Sequence, residues 1–196
     1  MSKEIVFDIE TIGDISDYSK LKVTVISLYR YETNTFESYT EHELGKVWPL
    51  FERAERLIGY NSEHFDLPVL NNYYMGDLLL FPHLDLLKKI KESLGIRLKL
   101  KDVAEATLDD VTKSADGLQA MQWYKEGKID EIKKYCEQDV NVTKQLYEFG
   151  RDNKQLFYKT LTGEVMPFFV DYSAQAHIDP TKKVQPKKTI NLTLPF

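Results

Sequence analysis

The chain has 196 residues, 42% of them apolar, which suffices for one ordinary domain with a single core and a small appendage. Its formal charge of −5 argues against a general nucleic-acid coat protein, so any contact with nucleic acid must be local. The single cysteine, Cys136, excludes an internal disulfide and a cysteine-rich zinc site.

The longest apolar run, Leu78 to Phe81, is far too short to span a membrane, and the first residues show no secretory signal. We therefore expect an intracellular, cytoplasmic protein with no membrane partner. The sequence leaves the oligomeric state open.

The first predicted strand covers Lys3 to Phe7 and is followed by two carboxylates, Asp8 and Glu10. Side chains two residues apart share one face of a strand, so these acids should project together where the strand ends. Two adjacent like charges repel, and a hard divalent cation such as Mg²⁺ relieves that repulsion. An acidic pair on a solvated surface is the alternative interpretation.

The next segments predict two strands joined by a short hairpin link, then a helix, then a brief buried strand. They cover Leu21–Leu28, Thr35–Thr40, about Glu43–Arg56 and Leu57–Tyr60. A crossover helix implies that the fourth strand is parallel to an earlier one. If it lies beside the first strand, Asp8 and Glu10 sit where ligands gather in open α/β sheets.

The second half is predicted to be mostly helical, punctuated by glycines, with a hairpin near the end. The helices are Asp66–Tyr74, Leu84–Leu94, Lys101–Thr107, Asp116–Glu126 and Ile129 to about Arg151, and the hairpin strands are Gln155–Lys159 and Val165–Val170. We expect a domain over residues 1–153, a hairpin over 154–171 that packs on or extends from it, and an extended tail over 172–196, with the polar segment beginning at Asp171.

Two more acids occupy informative positions. Asp66 lies near the start of a predicted helix, where a cap or first-turn acid is the simplest interpretation. Asp139 falls on the buried side of the long helix, one turn after Tyr135, so the two side chains address one small volume. A buried carboxylate needs a partner such as a metal, although a solvated position at the helix flank is the alternative.

Three blocks of this sequence resemble a known family. Phe7-Asp8-Ile9-Glu10-Thr11, Asn61-Ser62-Glu63-His64-Phe65-Asp66 and Tyr135-Cys136-Glu137-Gln138-Asp139 look like the three motifs of the DEDD-family 3′-to-5′ exonucleases. Their order and spacing agree with that family over roughly Ile5 to Phe149. Tyr135 points to the tyrosine subclass, similar to the proofreading domains of family B DNA polymerases.

The resemblance implies an α/β, ribonuclease H-like mixed sheet: three antiparallel strands plus parallel strands, flanked by helices, with a C-terminal hairpin outside the matched region. It implies that Asp8, Glu10, Asp66 and Asp139 hold two divalent cations, Mg²⁺ or Mn²⁺, and that Tyr135 orients the attacking water. The expected reaction is hydrolysis of single-stranded DNA from its 3′ end, releasing nucleoside 5′-monophosphates. Replication or repair proteins are the expected partners.

Candidate substrate contacts are Thr11, Asn61, Phe65, Lys99 and Lys101. An aromatic ring can stack on an unpaired base, and lysines can contact phosphates. Core packing is the alternative for Phe65, and a solvated face is the alternative for the basic stretch from Lys88 to Lys101.

Three other functions remain open from the sequence. The same chemistry could act on RNA 3′ ends, since sensing of the 2′-hydroxyl depends on loop geometry. A catalytically silent adaptor domain is disfavoured because it has no need for a repulsive carboxylate cluster. A structural calcium-binding protein is disfavoured because the acids are scattered along the chain rather than gathered in one loop.

Overall fold

The computed structural model describes residues 2–108 and 117–173, without the side chains of residues 117 and 118. Its strands are β1 (Glu4–Ile12), β2 (Lys22–Arg30), β3 (Thr35–Thr40), β4 (Arg56–Gly59), β5 (His83–Asp85), β6 (Gln155–Lys159) and β7 (Val165–Phe169). Its helices are α1 (Trp48–Arg53), α2 (Asp66–Leu70), α3 (Leu86–Leu94), α4 (Leu100–Thr107), α5 (Gly117–Lys125) and α6 (Ile129–Asn153).

Five strands form one mixed sheet in the order β3-β2-β1-β4-β5. The first three strands are antiparallel neighbours, whereas β4 runs parallel to β1 and β5 runs parallel to β4. The predicted position of the fourth strand beside the first is therefore confirmed. The predicted mixed α/β sheet flanked by helices, with a C-terminal hairpin, is also confirmed.

The two faces of β1 belong to different cores, because alternate side chains of a strand point to opposite faces. Phe7 and Ile9 pack with Phe51 of α1 and Leu67 of α2. Val6 packs on the other face with residues of α3, α4 and α6, among them Leu146. Asp8 and Glu10 share the alternation of Val6, so the strand directs both carboxylates toward α6.

Some predicted boundaries are wrong. The first strand continues to Ile12, so Asp8 and Glu10 lie within it rather than at its end. The predicted helix over 43–56 is a 3₁₀ turn (Glu41–Lys46) followed by the six-residue α1, and residue 56 already belongs to β4. Pro49 in the first turn of α1 fits a helix start, which explains why the helix begins late.

A short strand was missed as well. The prediction began a helix at Leu84, but residues 83–85 form β5 beside β4, and α3 starts only at Leu86. Three residues are too few to show strand alternation in a sequence. The helix predicted over 66–74 is also shorter, since α2 ends at Leu70.

The chain after the hairpin returns to the main sheet. Leu156 of β6 and Phe168 of β7 are buried in the same core as α6, so the hairpin packs on the domain. Tyr172, at the start of the predicted tail, is also buried in this core. The rest of the predicted tail, and the start of the helix predicted at residue 116, lie outside the described residues, and the proposed domain boundaries stay a prediction.

A buried arginine network fixes this return. Arg56 of β4 donates to Glu4 Oε1 at 2.8 Å, to the Tyr147 hydroxyl at 2.8 Å and to the backbone carbonyl of Tyr172 at 2.8 Å. The Tyr147 hydroxyl donates in turn to Glu4 Oε2 at 2.9 Å. The network joins β1, β4, α6 and the segment after β7, and its charges are paired as buried charges must be.

Within the part of the chain that the structure describes, none of the helices is both apolar and long enough to cross a bilayer.

Gly150 of α6 provides a stability test, because its missing side chain makes room for Tyr172. A Cβ atom at residue 150 would lie 3.0 Å from Cζ of Tyr172 and 3.1 Å from Cγ2 of Val170. We expect Gly150→Ala to destabilise the protein by about 1–3 kcal/mol, as overpacking does, measured by urea denaturation. Gly45→Ala is the matched control, since a Cβ atom at residue 45 would meet no atom within 4 Å. Equal stability of the two variants would contradict the prediction.

Candidate metal centre

Three carboxylates converge between β1 and α6. One oxygen each from Asp8, Glu10 and Asp139 lies within 4.8 Å of the others. The two acids of β1 point to the α6 face, and Asp139 lies one turn beyond Cys136, which α6 buries against β2 beside Val25. Opposite elements of the fold thus bring together three acids that are up to 131 residues apart (139 − 8) in the sequence.

Asp66 joins the site from a third element. The pairing of β1 with β4 stops at Val6, so the sheet leaves a gap beyond the end of β4. There the Ile9 amide donates to Asp66 Oδ1 at 3.3 Å, and the Asp66 side chain is buried. The structure therefore places Asp66 against the backbone between Asp8 and Glu10, although it lies outside the closest group of three.

The crowded acids hold their protons unusually strongly. Burial raises the pKa of Asp8 well above its ordinary value, and the charges of Asp66, Asp139 and Glu10 raise it further. Burial and the charges of Asp139 and Asp66 raise the pKa of Glu10 to about 8. Burial also raises the pKa of Asp66 to about 7 and that of Asp139 to about 6. Negative charge is therefore costly here unless a cation balances it.

Tyr135 accompanies Asp139, as their spacing on the helix predicts. Its side chain hydrogen-bonds the Asp139 carboxylate, which lowers the pKa of that group and opposes the effect of burial. The ring also packs edge-on against Trp123 of α5, with 6.3 Å between ring centroids. Trp123 thus supports the tyrosine ring, a contact that sequence reasoning did not assign.

Cys136 is a second neighbour that the sequence did not reveal. Its buried thiol donates to the Asp8 carbonyl oxygen at 3.3 Å and lies 3.7 Å from Asp8 Oδ2. This contact fixes the distance between α6 and β1 beneath the carboxylates. A lone cysteine among apolar residues of a helix gives no signal of such a role in a sequence.

Asp85 is a further acid near the site, and the sequence did not indicate its role because the short strand β5, which it ends, was not predicted. It is buried at the end of β5, where Oδ1 accepts from the Asn61 amide at 2.8 Å and Oδ2 accepts from the Glu63 amide at 3.1 Å. Oδ1 also caps α3 through the Lys88 amide at 3.3 Å. Asp85 therefore holds the loop that leads into Asp66.

The predicted substrate contacts fall into different environments. Thr11 follows Glu10 across a β-bulge. Asn61 adopts a left-handed backbone conformation with φ 66°. Phe65 packs edge-on against Tyr18, with 5.4 Å between the ring centroids, and also contacts the core that contains Phe7 and Ile9. Lys99 immediately precedes α4, and Lys101 within it pairs with Glu105 at 3.8 Å.

The donor set suits a hard divalent cation. All of the grouped donors are carboxylate oxygens, which Mg²⁺ and Mn²⁺ prefer. Among the described residues, no lysine or arginine offsets the raised pKa values of Asp8 and Glu10. The residues present therefore fit a metal centre.

Comparisons with known proteins agree with this architecture. Residues 5–149 match the family model of the RNase H superfamily, so the chain belongs to that superfamily. The structure is similar to that of the family B DNA polymerase from the hyperthermophilic archaeon Pyrobaculum calidifontis, with a TM-score of 0.57 and 18% sequence identity. The match covers 75% of this chain but only 24% of the polymerase chain, and it shows the fold alone. No curated protein sequence matches the chain.

Proposed function

We propose that this protein is a metal-dependent 3′-to-5′ exonuclease of the DEDD family, tyrosine subclass, similar to the proofreading domains of family B DNA polymerases. Single-stranded DNA is its favoured substrate, and nucleoside 5′-monophosphates are its products. One observation carries the proposal: oxygens of Asp8, Glu10 and Asp139 lie within 4.8 Å of one another in a chain of the RNase H superfamily.

The acids provide the binding site for two divalent cations. Asp8, Glu10 and Asp139 would hold them directly, and Asp66 would complete the set from the start of α2. When bound, such ions supply Lewis-acid activation of water and stabilise the charge that develops on the phosphodiester. They also balance the carboxylates, whose raised pKa values show that the site is short of positive charge.

Tyr135 has a positioning role in this proposal. Its hydroxyl already interacts with Asp139, so it lies within reach of whatever that carboxylate binds. A neutral hydroxyl can donate to one partner and accept from another, which suits it to orient a water molecule. Trp123 restricts the ring, so that the hydroxyl keeps its direction.

The test is a side-by-side degradation assay. Single-stranded DNA, duplex DNA, mismatched duplex DNA and RNA are each labelled at either end and incubated with Mg²⁺, Mn²⁺ or EDTA. We expect a label at the 3′ end to be released immediately as a mononucleotide. We expect a strand labelled at its 5′ end to give a ladder of progressively shorter products, and EDTA to stop both reactions. Release of a 5′-labelled mononucleotide at the start would contradict the polarity, and faster loss of RNA would contradict the preference for DNA.

Tyr135→Phe separates positioning from metal binding. We expect it to slow degradation roughly 10²-fold, the range for a single proton-handling or orienting group, while the protein still gains thermal stability from Mn²⁺. Tyr158→Phe in the distant hairpin is the matched control and should keep the full rate. Loss of the Mn²⁺ effect in Tyr135→Phe would show that the tyrosine acts on the metal site itself.

A further inference from the structure

A cavity lies at the carboxyl ends of β4 and β5. Its volume is about 520 Å³, within the range of ligand sites. Its walls come from the loop after β4, from the end of β5, from α3 and from the segment after α3. Its charged side chains are Glu63, Asp85, Lys88, Lys91, Glu92 and Arg97, and Asn61 and His64 add polar groups.

The cavity and the metal centre share one loop. Asn61 and Glu63 line the cavity, and the same loop enters α2 at Asp66, whose carboxylate reaches the Ile9 amide. Asp85 lines the cavity and holds this loop through two backbone amides. A ligand in the cavity would therefore contact the wall that positions a proposed metal ligand.

The lining carries three cations and three carboxylates, but each carboxylate already has a partner. Lys88 pairs with Glu63 at 2.6 Å, Glu92 pairs with Lys89 at 2.9 Å, and Asp85 accepts from two backbone amides. Lys91 and Arg97 form no ion pair with any residue in the ranges 2–108 and 117–173. Lys91 lies in the last turn of α3, where a cation also complements the helix dipole, but Arg97 follows the helix and has no such explanation.

Gly95 turns the chain so that Arg97 faces the cavity. It ends α3 with φ 73°, and its amide donates to the Lys91 carbonyl at 2.9 Å. Lys91 and Arg97 are thereby brought to one cavity from a helix and from the turn that ends it. Among the described residues, His64 is the one aromatic side chain that lines this cavity, so the cavity offers mainly charge and hydrogen bonds.

We propose that this cavity binds the phosphate backbone of the polynucleotide strand, away from the bond that is cut, through Lys91 and Arg97. The inference rests on the proposed exonuclease function and adds the place where the strand is held. Backbone contact explains why lysine and arginine, rather than phenylalanine, tyrosine or tryptophan, are found among the described residues that line the cavity, since phosphates dominate the binding of single strands that are not read by sequence.

The test measures binding of fluorescent oligothymidylates of two and sixteen nucleotides by anisotropy, with Ca²⁺ in place of the catalytic metal. For the Lys91→Glu/Arg97→Glu double variant we expect an approximately tenfold or greater loss of affinity for the longer strand and a smaller loss for the shorter one. The slope of log Kd against log salt should fall by about 0.7 for each cation removed. Lys159→Glu reverses one charge at an exposed lysine of β6, is the control outside the cavity and should match the unmodified protein.

Two outcomes would overturn the inference. One is an affinity and salt slope in the double variant equal to those of Lys159→Glu. The other is an equal loss for both strand lengths, which would place the cations at the cut bond. Circular dichroism checks that the double variant is folded, and Lys91→Gln/Arg97→Gln repeats the test without charge reversal. Failure of the exonuclease proposal looks different, because the unmodified protein would then degrade no polynucleotide in the end-labelled assay.

Discussion

Asp8→Asn is expected to reduce degradation of 3′-labelled single-stranded DNA by on the order of 10³-fold, the upper range for loss of one electrostatic group in an active site. The amide keeps the shape of the carboxylate, so the Cys136 contact with the Asp8 carbonyl persists. What the variant loses is negative charge at the centre of the group formed with Glu10 and Asp139. The measurement is the initial rate of mononucleotide release at saturating Mg²⁺.

The fold should survive this change. Burial and three neighbouring acids disfavour the ionised form of Asp8, so a neutral amide should leave stability equal or higher, measured by thermal denaturation without metal. Glu52→Gln, an exposed residue of α1 on the other side of the sheet, is the matched control for rate. An Asp8→Asn protein with full activity would remove the basis for the proposed function.

The metal-free protein is expected to lose stability as the pH rises from 5 to 8.5. The folded pKa values of Asp139, Asp66 and Glu10, about 6, 7 and 8, all lie above the ordinary values of 3.8 for aspartate and 4.5 for glutamate. The folded state thus binds more protons than the unfolded state in this window, and the free energy of unfolding must fall with pH. We expect the melting temperature to drop by on the order of 10 °C, since each kcal/mol shifts it by roughly 2–4 °C at this size.

Mn²⁺ should reverse most of that loss, because a ligand that binds only the folded state stabilises it by mass action. The gain should be larger at pH 8.5 than at pH 5, where protons compete for the carboxylates. Glu10→Gln should flatten the metal-free pH dependence and reduce the gain from Mn²⁺, whereas Glu52→Gln should change neither. A melting temperature that rises between pH 5 and 8.5 without metal would show that these acids are not desolvated together.

Much of the fold follows from sequence because its elements are strongly patterned. The β1–β2–β3 meander, the parallel placement of β4 and the long α6 were all predicted and are confirmed. The errors fall where tertiary contacts override local pattern. β5 has only three residues and exists because β4 pairs with it, and the late start of α1 follows a 3₁₀ turn.

The acids of the site were predictable from the sequence on two grounds. Strand alternation placed Asp8 and Glu10 on one face and helical spacing placed Asp139 beside Tyr135, whereas Asp66 joined the set only through the resemblance of the three blocks to the exonuclease family.

The side chains that support these acids were not predictable. Cys136 reaches Asp8 from 128 residues away, and Trp123 supports Tyr135 from another helix. Asp85 became recognisable only once β5 was known to end there. Such contacts depend on which elements pack together, and no local pattern encodes that.

The Arg56 network sets a limit on how far this chain can be trimmed by genetic truncation. Its guanidinium uses the Tyr172 carbonyl as an acceptor, and the Tyr172 ring fills the space over Gly150. A truncated protein that ends after Ser173 would keep both the Tyr172 carbonyl and the Tyr172 ring in place. One stopping before Asp171 would leave the Arg56 guanidinium without that acceptor and the surface of α6 at Gly150 without its cover, so Tyr172 closes the end of the sheet that is remote from the acids.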